Sequence, residues 1–109
     1  MARKPLSGVG FEVLQQIAAG GPATVGDAIR CPRDGTMQAT VSGTGTVTAT
    51  VAIEVSNDNT NFVTLGTITL SGTTSATDGF AFNAPWVYIR SNCTAISGTS
   101  AALSVVMGA

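Results

Sequence analysis

Between Thr46 and Val55 the chain alternates without a break: Val47, Ala49, Val51, Ile53 and Val55 are separated by Thr46, Thr48, Thr50, Ala52 and Glu54. A period of two places the first set on one face of an extended strand and the second on the other, so one face is dry and the other wet. Ser56-Asn57-Asp58-Asn59-Thr60-Asn61 follows. Such side chains bond their own backbone and tolerate left-handed conformations, so the chain turns here and returns through Phe62 to Leu70 as a hairpin. In the return strand the alternation shifts at Gly66 and resumes at Ile68 and Leu70, as a bulge at a glycine would make it do.

The same reading extends along the chain. Ser71 to Ser75 is a turn, Ala76 to Phe82 a short strand with Phe80 and Phe82 on one face, and Pro85 opens a strand from Trp86 to Ile96. In that strand Val87, Ile89, Ser91, Cys93 and Ala95 form the expected core face, with Trp86, Tyr88 and Arg90 opposite. Ser97 to Ser100 is a turn before a last strand, Ala101 to Met107. Upstream, Phe11 to Ile17, Ala23 to Arg30 and Thr36 to Val41 are strands, the last joined to Thr46–Val55 by a hairpin loop at Ser42 to Gly45. Nowhere is there a helical period. The expectation is an all-β domain, an antiparallel β-sandwich of jelly-roll or immunoglobulin-like type. It would have about seven or eight short strands over residues 11–109, with residues 1–10 as an N-terminal arm.

Composition narrows the function. Charged residues are 10% of the 109, net charge is -1, and there is no histidine. No basic patch offers a footprint for nucleic acid or an anionic membrane, and the commonest general base and metal ligand is missing. The acids Glu12, Asp27, Asp34, Glu54, Asp58 and Asp78 are scattered singly, three of them in turn contexts. Asn57-Asp58-Asn59 lacks the glycine and distal glutamate of a calcium loop. Gly43-Thr44-Gly45 precedes a β pattern, where a phosphate cradle needs a helix. Asn92-Cys93-Thr94 fits the glycosylation acceptor pattern, which matters only after export, and the basic start at Arg3 and Lys4 is not followed by the apolar run of an export signal. Cys31 and Cys93 lack metal or redox spacing and are expected as buried free thiols in preference to a disulfide. The chain is expected to be no enzyme, to carry no cofactor or metal, and to bind neither nucleic acid nor membrane.

Three stretches carry a resemblance: Val51 to Thr67 (VAIEVSNDNTNFVTLGT), Ala84 to Arg90 (APWVYIR), and Ala95 to Gly108 from its opening AISGT to its closing Met-Gly. Together they resemble small β-sandwich virion proteins of tailed bacteriophages, especially capsid decoration or cement proteins, over roughly the C-terminal two thirds. The resemblance implies a structural protein of the capsid surface, assembled in the cytoplasm of a bacterial host. It would bind the major capsid protein, associate with itself as a dimer or trimer, and clamp neighbouring capsid subunits through many modest contacts. Contacts are expected from the arm, including Arg3, Lys4, Pro5 and Leu6, from Phe11 and Val13, and from Arg30, Arg33 and Arg90 as polar anchors to carboxylates. Phe11 and Val13 as core residues and the arginines as solvated groups are the plain alternative. Trp86 and Tyr88 suit a subunit contact or edge packing; as a sugar-stacking platform they would instead make the chain a carbohydrate- or receptor-binding module of a tail or adhesin. A head-completion or tail component is a third possibility.

Overall fold

A computed structural model describes residues 11–108. They form five strands: β1 (Phe11–Ile17), β2 (Ile29–Arg30), β3 (Arg33–Ser56), β4 (Val63–Ala84) and β5 (Tyr88–Gly108). All pairings are antiparallel, in one sheet of order β1-β5-β3-β4, with β2 also on β5. No helix among the described residues is long and apolar enough to cross a membrane.

The all-β, antiparallel expectation matches; the count of seven or eight short strands does not. Ser42–Gly45, Ser71–Ser75 and Ser97–Ser100 lie inside continuous strands. A cluster of Gly, Ser and Thr marks a departure from extended backbone, and that departure suits a bulge as well as a hairpin turn. Here β3 keeps the same neighbours on both sides of the interruption, so these are bulges: the register shifts between Ser42 and Thr46 against β4, and between Ser42, Thr44 and Thr48 against β5. The one true hairpin of this group is the expected one, Val55 pairing with Val63 across the Ser56–Asn61 turn. The expected strand Ala23–Arg30 reduces to β2 and an isolated bridge between Val25 and Asn92.

The three interruptions fall side by side, and the sheet folds there. Fully extended, the 24 residues of β3 would span roughly 80 Å, whereas the molecule measures 38 × 30 × 19 Å. Each long strand therefore doubles back. β3 carries Gly45 at φ +74°, β4 carries Thr74 at +67°, and β5 carries Gly98 at +131° and Ser100 at +54°. The two halves of the sheet face each other across one hydrophobic cluster. It takes Met37, Ala39, Val41, Val47, Ala49, Val51, Ile53 and Val55 from β3, with Ile68, Leu70 and Phe82 from β4 and Ile89, Cys93, Leu103, Val105 and Met107 from β5. These are the period-two residues of the sequence, and each buried Val, Ile or Leu stabilises by about 1.5–3 kcal/mol.

Two further bulges set which side chains point inward. Glu54 pairs with Thr64 while Ile53 pairs with Gly66, leaving Leu65 as the extra residue, where the sequence places a shift at Gly66. Val51 pairs with Cys93 and Thr50 with Ala95, leaving Thr94 extra. The second bulge reverses the alternation, so Ala95, expected on the core face, is exposed and Ile96 packs against the core. Both thiols are free, Cys93 buried and Cys31 half-buried; burial pushes the Cys93 thiol pKa up.

At the fold line Val47 is fully buried, and a Cβ on Gly98 would lie 2.8 Å from its Cγ1 and 2.9 Å from the Thr46 carbonyl oxygen. Gly45 has open space around it. Gly45→Ala therefore meets only the left-handed backbone cost, about 1–2 kcal/mol. Gly98→Ala adds a clash to that strain and should lose about 3 kcal/mol or more. Urea unfolding of the two variants beside the parent measures this, and equal losses would show that packing at Val47 does not matter.

Candidate functional site

The ends of the strands opposite the fold line gather five of the seven sequence-predicted contact residues that lie among the described residues. In one half of the sheet Phe11 pairs with Gly108, which pairs with Thr36, and Arg33 pairs with Ala84. In the other half Arg30 pairs with Tyr88, which pairs with Ser56. Two short connectors cross between the halves here: Cys31-Pro32 from β2 to β3, and Pro85-Trp86-Val87 from β4 to β5. They are stitched together, the Cys31 amide donating to the Val87 carbonyl at 2.8 Å and its thiol to the Ala84 carbonyl at 3.3 Å. Phe11, Arg30, Arg33, Trp86 and Tyr88 thus share one end of the folded sheet.

The backbone at this end is tightly turned. The Asp34 amide donates to the Pro32 carbonyl at 2.9 Å, closing a three-residue turn over Arg33, whose φ is +73°. That conformation is strained for a side chain of this size. The Asn83 side-chain amide donates to the Asp34 carboxylate across the strand pair. Opposite, the Trp86 amide donates to the Ala84 carbonyl at 2.7 Å, a turn that the fixed φ of Pro85 favours. Trp86 sits in this connector and not on the strand, so strand alternation does not set its direction. It is half-buried and packs against the core, in contrast to the outward position expected for it, and Tyr88 is half-buried as well.

Arg30 and Arg33 are exposed, and neither makes a salt bridge among the described residues. Arg90 is engaged inside the chain. Its Nε lies 2.7 Å from Glu54 Oε1, on its register partner across β3 and β5, and its guanidinium carbon is 3.7 Å from the centre of the Phe62 ring. Asn92 donates to the other Glu54 oxygen at 3.2 Å. Stacking of this kind stabilises by about 0.5–1 kcal/mol, and it fixes the guanidinium in place. Val13 is 46% exposed, so it lies on the surface. Residues 1–10, with Arg3, Lys4, Pro5 and Leu6, lie outside the described residues.

Several residues that shape this region carry no signal of it in the sequence. Leu14 is the extra residue of a bulge between Val13 and Gln15, so Leu14 and Gln15 are both buried. Gln15 accepts from the Ser91 hydroxyl at 2.7 Å and donates to the Thr24 carbonyl at 2.7 Å. One amide thereby ties β1 to β5 and to the irregular edge, and so positions Phe11 and Val13. Asn57 accepts from the Val87 amide at 3.2 Å, docking the β3–β4 turn on the connector.

That turn is organised by Asp58. Its carboxylate accepts from the amides of Asn61 at 2.8 Å and Thr60 at 2.9 Å, from the Asn61 side chain at 2.9 Å, and from the Ser56 hydroxyl at 2.9 Å. The Asn61 backbone bond is the largest of the effects that hold the carboxyl well below its usual pKa range. Among the described residues no three His, Cys, Asp or Glu side chains group as metal ligands would.

No protein-family model matches the chain, and no curated protein matches it. Among solved structures it is similar to the crystal structure of SPBc2 prophage-derived protein YomS, at 11% sequence identity and a TM-score of 0.55, over 100% of both chains. At that identity the likeness is one of fold alone, shared with a prophage-derived protein.

Two expectations follow. Because folding lowers the Asp58 pKa, its contribution is complete above the unfolded value of about 3.9 and declines as pH falls below it. Asp58→Asn should lower the urea midpoint at about pH 7 and differ less from the parent at about pH 3; a constant difference would show that the carboxylate charge is not what holds the turn. Ser91→Ala strands the buried Gln15 oxygen and should cost about 1–3 kcal/mol in the same assay, whereas a loss near zero would mean that water or another donor takes over.

Proposed function

We propose that this chain is a structural virion protein of a tailed bacteriophage, one that binds the outside of the capsid and clamps neighbouring capsid subunits. The observation that carries the reading is the fold shared with a prophage-derived protein over the full length of both chains, taken with the resemblance in Val51–Thr67 and Ala84–Arg90. In this reading the doubled sheet is a two-layer sandwich, the partners are the major capsid protein and further copies of the chain, and the site of action is the capsid surface.

The physics of the closed end suits such a role. A clamp needs side chains presented at fixed positions on a scaffold that does not yield. Arg30 and Arg33 are exposed cations on a cross-linked, strained corner, with the half-buried Tyr88 beside them and Phe11, where residues 1–10 join β1, at the same end. Carboxylates of a capsid subunit would complement them. The exposed valine at position 13 is an apolar element on the adjoining edge. Arg90, committed to Glu54 and Phe62, serves the scaffold more than the contact. Packing of Trp86 against the core leaves less of its ring for a sugar platform, which favours the capsid reading over a carbohydrate-binding module.

Quantitative mass spectrometry of purified virions gives the copy number relative to the major capsid protein. A ratio near one, or another simple lattice fraction, is expected. A few copies to a dozen would move the chain to the tail or portal, and none would remove it from the virion.

A further inference from the structure

β4 is where the sheet stops. Among the described residues it pairs with β3 along one side and with nothing along the other. A free edge is a template for another strand, and proteins guard such edges with charge, proline, short strands or irregularity. The opposite edge is guarded: β1 there is 7 residues long, carries Glu12 and bulges at Leu14, while between β1 and β3 the chain carries Pro22, Asp27, Arg30 and Pro32 and its pairing dwindles to the Val25 bridge and β2. β4 runs for 22 residues without Lys, Arg or Pro and with Asp78 as its sole charge. Its first half, Val63 to Thr73, is uncharged, with the Leu65 bulge its one irregularity.

A second observation falls on the same edge. Val63 is 52% exposed, and Leu65 and Phe80 are only partly buried against the core. Phe80 reaches from one half of the folded sheet to Gly66 in the other, where an added Cβ would lie 2.9 Å from its Cζ. Apolar cover is thus incomplete along the strand whose backbone lacks a partner.

We infer that the Val63–Thr73 edge is a self-association surface, on which a second copy of this chain lays its own Val63–Thr73 antiparallel across a two-fold axis. A second copy fits because an uncharged strand paired with itself opposes no like charges and desolvates none. Two-fold pairing also occupies the β4 edge of both copies at once and then stops, while head-to-tail addition would leave a β4 edge open and propagate. The other half of β4 is less suited, since a symmetric pairing centred there brings the charge of Asp78 close to its copy. The inference stands apart from the capsid reading, because its test needs no virion.

Thr67 and Thr69 are exposed, on either side of the buried Ile68, so lysine at both positions charges the edge without entering the core. By sedimentation equilibrium the full chain should be a dimer. The Thr67→Lys/Thr69→Lys variant should keep the parent's circular dichroism and weaken dimerisation at least about a hundredfold. Ala19→Lys/Ala23→Lys, on the opposite edge, should leave it unchanged. Amides of Val63–Thr73 should lose hydrogen-exchange protection on dilution of the unmodified protein, a readout that holds even if the lysine variant does not fold. A monomer at every concentration up to about 1 mM, a trimer, an unaltered constant in the lysine variant, or protection independent of concentration would each overturn the inference.

Discussion

Everything in this fold depends on three strands leaving the extended conformation at the same level. A strand of more than twenty residues in a domain of this size has to turn back, and a sheet turns back only if its strands do so together, because each is bonded to its neighbour on both sides of the fold line. The positive-φ residues of β3, β4 and β5 meet that demand, and Gly98 does so against the buried side chain of Val47. The doubling brings two halves of one sheet face to face. It turns the alternating residues of a single strand into both walls of one core.

The fold line also creates the opposite end. Once the strands double back, β4 finishes in one half and β5 begins in the other, so the chain must cross between them within three residues, and β2 to β3 must do the same within two. Short crossings impose tight turns, which is why Arg33 is held in a left-handed conformation and why Cys31 bonds to both Val87 and Ala84. The candidate contact residues are gathered there by topology; in sequence Phe11 and Tyr88 are far apart.

Much of this was legible in the residues. The alternation from Thr46 to Val55 identifies the inner face of β3, and Ser56–Asn61 identifies the hairpin. Continuity was not legible: the clusters at Ser42–Gly45, Ser71–Ser75 and Ser97–Ser100 read as strand ends, since local sequence reports that the backbone bends but not whether its neighbours bend with it. The bulge at Thr94 had no glycine to announce it, and so Ala95 and Ile96 exchanged faces. At the contact end, the sequence supplied residue types but not commitments. Arg30, Arg33 and Arg90 look alike in a list of cations, and only the cross-strand position of Glu54 and the nearness of Phe62 separate the third from the first two. Nothing in the sequence marks Gln15 as the partner of Ser91, a bond that depends on the bulge at Leu14.

The partner of β1 has a consequence for the order of events during synthesis. Among the described residues β1 pairs with the segment Leu103–Gly108 of β5 and with no other strand, although it leaves the ribosome long before that segment exists. The β3–β4 hairpin closes locally and can form while translation continues, whereas β1 must wait, its Leu14 and Ile17 uncovered, until β5 is complete. Pairings this distant along the chain make for slow folding. Low charge offers little repulsion between nascent chains in that interval, so the waiting time of β1 sets how long this protein is open to association with the wrong neighbour.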